Sequence, residues 1–201
     1  MLNKIQKTEV AVLTAEMPRE MKLQAQLDDV RDYISCGDDP AVYVGTYGKY
    51  NSGSIFGAWI ALADCSDYEE FMDVCRRLHA DEEDPEFMFQ DFEGFPAAWY
   101  EESGIDEKVF DKIKDFAEMD EEEQEAYRAY IDCTDDDDID NFHERYMGYW
   151  ESEEDFAEHI VNECFDLDRL MGRLSIYFDY KAYARDLFYE YKFCDGHVFS
   201  D

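Results

Sequence analysis

Fifty-two aspartates and glutamates against eighteen lysines and arginines give this 201-residue chain a formal charge of −34, and any fold it adopts must tolerate that self-repulsion. An elongated chain of small domains spreads such charge better than one sphere does. The same surface repels nucleic-acid phosphates and anionic lipid headgroups, so neither nucleic acid nor a membrane is the expected partner; a basic one is. Acidic excess alone often means disorder, but disorder also requires few aromatics, and 15 Tyr with 15 Phe argue for packed cores.

The first segment, MLNKIQKTEVAVLTAEMP, holds a short apolar patch where a signal peptide would have its core. No run approaches the ~20 apolar residues of a membrane span, so the expected location is the cytoplasm. Cys36, Cys65, Cys75, Cys133, Cys164 and Cys194 have wide, irregular spacings. In a reducing compartment they are expected as thiols, buried for the most part.

Along the chain the charge is uneven. Residues 1–40 carry eight acids and five bases, and Leu23, Leu27, Val30 and Ile34 follow helical spacing, which predicts an amphipathic helix from about 19 to 35 and then a linker. Residues 41–63 contain no acid and read as two strands around a loop, with Lys49 inside it. Ser66-x-x-Glu69 reads as a capping box for a helix with Phe71, Val74, Cys75 and Leu78 on one face, ending near His79, and FMFQDFEGFP reads as a third strand. Residues 101–140 hold 18 acids and 4 bases yet keep helical periodicity at Val109, Ile113 and Phe116 and again at Ala126, Tyr127, Tyr130 and Ile131. A second box-like start at Ser152-x-x-Asp155 precedes a stripe of Phe156, Ile160, Val161 and Cys164. Asp179 to Leu187 is expected helical, and Asp195-Gly196 between aromatic runs reads as a tight hairpin. The expected class is α+β: an N-terminal extension over 1–40, an α+β domain with a three-stranded sheet over 41–104, an acidic helical domain over 105–142, and a mostly helical domain with a short hairpin over 143–201.

Candidate chemistry is sparse. An EF-hand template placing Asp132 at its first position meets Asp137 where glycine belongs and His143 where the bidentate glutamate belongs, so no calcium loop is expected. Cys75 with His79 and Cys194 with His197 are each half of a zinc set with no second half, and buried thiols are the plainer reading. No phosphate loop, nucleophile elbow or dinucleotide fingerprint occurs. No metal, no cofactor and no catalytic residue is therefore assigned. What remains is the charge: acids every few residues on helices rising ~1.5 Å per residue come within a few-fold of the charge density of B-DNA, one phosphate per ~1.7 Å. Two such chains would match the phosphates of roughly 34 base pairs.

AVYVGTYGKYNSGSIFGAWIAL at 41–62, FQDFEGFP at 89–96 and above all SIYFDYKAYARDL at 175–187 resemble the ArdA antirestriction proteins of conjugative plasmids and transposons. The likeness spans about 41–201 and leaves residues 1–40 outside it. It implies a non-enzymatic DNA mimic that occupies the DNA-binding groove of type I restriction-modification enzymes, built as a homodimer of small acidic domains. On that reading the acidic surface is Asp81, Glu82, Glu83, Asp84, Glu101, Glu102, Glu121, Glu122, Glu123, Asp135, Asp136, Asp137, Asp138, Glu153, Glu154 and Asp155. The resemblance further implies pairing through the C-terminal part, where Tyr177, Phe178, Tyr180, Tyr183, Arg185 and Leu187 are the positions expected near the contact; intramolecular core is the other role open to these aromatics. The competing function is an acidic cation-binding or enzyme domain with a discrete carboxylate site.

Overall fold

The computed structural model describes residues 18–37 and 39–201. The reading of the first segment as no signal peptide falls on residues outside these. The chain forms two compact units, one ending at Glu118 and the other running Met119–Asp201. Together they make a mixed α/β protein with two small antiparallel sheets and, among the described residues, nine α-helices.

The sheet of the first unit has the order β2-β1-β3, from β1 (Ala41–Thr46), β2 (Ala58–Ala61) and β3 (Phe87–Glu93). Helices α3 (Tyr68–Leu78) and α4 (Glu107–Glu118) supply its core. Phe71, Val74, Cys75 and Leu78 of α3 are fully buried, as are Phe110, Ile113 and Phe116 of α4. The Phe71 ring stacks 5.9 Å from Phe89 of β3 and 5.6 Å from Phe110, so strand, helix and helix meet on one side chain.

Three local expectations shift. The cap of α3 is Asp67, which accepts from the Glu70 amide at 2.8 Å, while the Glu70 carboxylate reaches back to the Ser66 amide at 2.7 Å; the box sits one residue later than its sequence pattern suggested. The segment after β1 is not a plain loop but a short helix, α2 (Tyr47–Asn51), capped by Thr46. The long N-terminal helix is divided. Helix α1 (Arg19–Asp29) ends with Asp28 and Asp29 at a terminus whose dipole disfavours them, a 3₁₀ turn follows over Arg31–Tyr33, and Ile34 then bridges to Ile60 on the free edge of β2. Arg77 Nε donates to Asp29 at 2.8 Å and the Tyr33 hydroxyl donates to Glu70 at 2.7 Å, which docks α1 on α3. That bond and the Ser66 amide hold Glu70 at about 2, far below the usual carboxylate range.

The second unit has the sheet order β4-β6-β5, from β4 (Tyr146–Tyr149), β5 (Tyr191–Cys194) and β6 (His197–Ser200), and the helices α5 (Glu121–Thr134), α6 (Ile139–Arg145), α7 (Glu153–Cys164), α8 (Leu167–Met171) and α9 (Tyr180–Leu187). Its core is aromatic: the buried Phe142 ring lies 5.1 Å from Tyr127, 5.7 Å from Tyr130 and 5.4 Å from Tyr146. Asp195 at φ 50° and Gly196 at φ 88° form the expected two-residue turn, whose left-handed residues match the twist of the strands they join. Strand β4 has no forerunner in the sequence reading. It is four residues long, follows α6 without a breaker and contains Gly148 at φ 95°, so no alternation marks it.

The cysteines depart in part from the expectation of thiols. Cys65 and Cys75 are buried thiols, and burial pushes the Cys65 pKa up to about 12. Cys36 and Cys164 are exposed thiols, whereas Cys133 on α5 and Cys194 on β5 are joined in a disulfide with a Cα separation of 6.3 Å. The two residues are 61 apart in sequence, a pairing no local spacing reveals.

Candidate functional site

Acids collect where helix physics favours them. Asp120 caps α5, whose first turn is Glu121-Glu122-Glu123; Asp138 caps α6; Ser152 caps α7, whose first turn is Glu153-Glu154-Asp155. The positive end of each helix dipole offsets charge that would otherwise repel, and the apolar face of the same helix stays in the core. The sixteen carboxylates singled out in the sequence divide between the units. In the first, Asp81, Glu83, Asp84, Glu101 and Glu102 are exposed and Glu82 is half-buried, and Glu102 accepts from the Tyr47 hydroxyl at 3.2 Å. In the second, Glu121, Glu122, Asp135, Asp138, Glu153, Glu154 and Asp155 are exposed, while Glu123, Asp136 and Asp137 are half-buried. Glu123 lies 3.1 Å from His143. Asp136 is structural: it accepts from the Tyr130 hydroxyl at 2.6 Å and from Asn141 at 3.0 Å, and the tyrosine bond foremost lowers its pKa.

Asp81 and Glu82 stand apart. Lys49 of α2 is 7% exposed, and its ammonium lies 2.7 Å from Asp81 Oδ1, 2.7 Å from Glu82 Oε1 and 2.9 Å from His79 Nδ1. Three donors meet three acceptors, which is what a buried ammonium requires. The network closes around them: Gln26 of α1 donates to Asp81 at 2.8 Å, Thr46 donates to Glu82 at 2.7 Å, and His79 Nε2 lies 3.2 Å from the Val44 carbonyl. Burial, reinforced by the adjacent Lys49, pushes the His79 pKa down to about 4, so the ring is neutral, accepting through Nδ1 and donating through Nε2. Burial, the largest single influence, raises the pKa of both carboxyls, but the hydrogen bonds from Lys49, Gln26 and Thr46 and the Lys49 charge together outweigh it, and both end below their ordinary values.

His79, Asp81 and Glu82 form the one group among the described residues whose ligating atoms lie within 4.8 Å of one another, and the Lys49 ammonium occupies the position of positive charge between them. The sequence-level zinc pairs are both diverted. His79 turns its two nitrogens to Lys49 and Val44 rather than to Cys75, and Cys194 is bonded to Cys133 while His197 Nδ1 lies 3.0 Å from the Tyr146 hydroxyl.

At the C-terminal segment, Tyr177 is 76% exposed, Phe178, Tyr180, Tyr183 and Leu187 are half-buried, and exposed Arg185 pairs with Asp186 at 3.0 Å. Phe178 packs 4.9 Å from Tyr180 and 5.8 Å from Tyr183. Sequence reasoning missed the apolar surface that precedes them: Phe165, Leu170, Leu174 and Ile176 are all exposed. The signal lay in the run itself, since residues 165–187 match four acids with four bases inside a chain that is otherwise strongly negative.

A search of curated proteins finds no match. A family model described as antirestriction protein (ArdA) matches residues 42–199, from the first sheet to the final hairpin. With most of its length, both sheets and the SIYFDYKAYARDL segment inside that match, the chain belongs to the ArdA family of antirestriction proteins.

Proposed function

We propose that this antirestriction protein acts without catalysis, as a DNA mimic that fills the basic DNA-binding groove of a type I restriction-modification enzyme. The observation that carries this reading is the placement of the charge: glutamates and aspartates crowd the exposed first turns of α5 and α7 and the loop before α6, on a chain of formal charge −34. Exposed carboxylates at this density replace the contacts that phosphates make with the enzyme's Lys and Arg side chains. No helix of the described residues is long and apolar enough to cross a membrane, and we place the action in the cytoplasm, where the target meets DNA. The test is competition. Binding to a purified type I enzyme is expected to fall by orders of magnitude from 50 to 300 mM salt and to be lost when duplex carrying the recognition site is added in excess. Simultaneous occupancy of the groove by duplex and inhibitor would overturn the reading.

The surface around Tyr177 supports a second element of the proposal, a homodimer. Leu170, Leu174, Ile176 and Tyr177 are exposed apolar side chains in a charge-balanced stretch of the chain, where two copies repel little. Added salt screens the remaining repulsion, so the dimer is expected to tighten with salt while target binding weakens. Sedimentation across a salt series should show a dimer for the wild type and a monomer for Tyr177→Ala with Tyr183→Ala. A wild-type monomer at every salt concentration would remove the dimer from the model of action.

A further inference from the structure

The loop between α3 and β3 carries four consecutive carboxylates, Asp81 to Asp84, but they do two different things. Asp81 and Glu82 end on the Lys49 ammonium, which leaves their side chains 29% and 24% exposed, although Asp81 as a residue is exposed. Glu83 and Asp84 are exposed. The loop is anchored at several points. Lys49 binds Asp81, Glu82 and the neighbouring His79; Gln26 binds Asp81 from α1; Thr46 binds Glu82; and the Glu82 amide closes a turn on the His79 carbonyl at 3.0 Å. Gly48 lets the Glu82 carboxylate come close, since a Cβ there would lie 3.0 Å from Glu82 Oε2. An exposed acidic loop without such anchors would sample many conformations and pay ordering entropy on binding.

We propose that Lys49 is a positioning residue for partner recognition: its ammonium engages the Asp81 and Glu82 carboxylates and fixes the loop so that Glu83 and Asp84 face the basic groove. The inference rests on the DNA-mimic reading and deepens it by separating the carboxylates bound to Lys49 from the partner-facing ones. It also assigns a role to the segment ahead of the family match, because Gln26, which is 8% exposed, supplies an anchor from outside residues 42–199.

Charge and position make opposite predictions for Lys49→Met. The substitution makes an acidic inhibitor more negative, so charge alone predicts tighter binding to a basic groove; loss of position predicts weaker binding. The experiment is a double-mutant cycle, read as inhibition of ATP-dependent cleavage by a purified type I restriction enzyme, with circular dichroism to confirm folding. Glu83→Gln with Asp84→Asn is expected to weaken inhibition by about 2- to 30-fold in the wild-type background, as two exposed ionic contacts allow. Folded Lys49→Met is expected to weaken it by a similar factor, and adding the pair to Lys49→Met should change it by less than about 2-fold. Hydrogen exchange of the amides of residues 79–85 should accelerate in Lys49→Met.

If Lys49→Met does not fold, Gln26→Ala carries the test, with faster exchange over 79–85 and inhibition about 2- to 3-fold weaker expected. Unchanged exchange and inhibition in that variant would overturn the proposal. So would a folded Lys49→Met that inhibits as well as or better than the wild type, or effects that simply add. If the Glu83/Asp84 pair has no effect while neutralising Glu121 and Glu122 weakens inhibition, the positioning proposal fails and the mimic reading stands. If neither pair matters, the mimic reading itself fails.

Discussion

Replacing Glu101, Glu102, Glu121, Glu122, Glu153 and Glu154 together by glutamine is expected to weaken inhibition of a type I restriction enzyme by roughly 10- to 10,000-fold, since each exposed ionic contact contributes on the order of 0.2–1 kcal/mol and six are lost. Each of the six is exposed. Glutamine keeps the length and shape of the side chain and removes only the charge. Glu122→Gln alone should move inhibition by less than about 5-fold, because no single contact dominates a distributed surface. Folding should survive: the first turns of α5 and α7 lose favourable dipole interactions of about 0.3–1 kcal/mol per residue, and relief of self-repulsion offsets part of that. Dose-response curves with the single, pairwise and sixfold variants, each checked by circular dichroism, read the accumulation. Abolition by one substitution in a folded protein would instead favour a discrete carboxylate site.

Lys49→Met is expected to destabilise the first unit by about 3–5 kcal/mol, the usual cost of removing one partner from a buried ionic cluster. Asp81 and Glu82 would then face each other across the space the ammonium left. Wild-type stability should also depend on pH through His79. Its folded pKa of about 4 lies below the ordinary value of 6.5, so between these limits the unfolded chain binds the proton that the folded chain refuses, and stability falls as pH drops through that window, by roughly 3 kcal/mol in all. Asp81 and Glu82 act in the same direction. Their lowered pKa values contribute stability above the unfolded carboxyl range that is lost on further acidification. In Lys49→Met the unpaired carboxyls take up protons more readily than in the wild type, so the gap between the two proteins should narrow as the pH falls. Urea unfolding followed by the buried Trp99 of the first unit, from pH 7.5 to 4.5, measures both effects. A flat wild-type profile, or a Lys49→Met cost below about 1 kcal/mol, would show that the cluster is not the keystone its geometry indicates.

The acidic excess, the buried face of α3, most of those of α4 and α5 (Phe110 is buried where Val109 was expected, and Ile131 is only half-buried), the three strands of the first sheet and the Asp195-Gly196 hairpin were legible in the sequence, because each rests on a period or a turn preference spanning a few residues. The family likeness was legible for the same reason, in contiguous segments. The tertiary structure alone decided which carboxylates are bound by Lys49. Lys49 meets Asp81 across 32 residues and Gln26 meets the same side chain across 55, so Asp81 and Glu82 are indistinguishable in sequence from Glu83 and Asp84 beside them. It likewise decided that α1 stops where Ile34 finds the edge of β2, that β4 forms where β6 offers hydrogen bonds to a segment without alternation, and that Cys133 meets Cys194. Local preferences select elements. A buried charge, a sheet edge and a cross-link are satisfied only by groups that the folded chain brings from far away, and those contacts determine which acids remain on the surface.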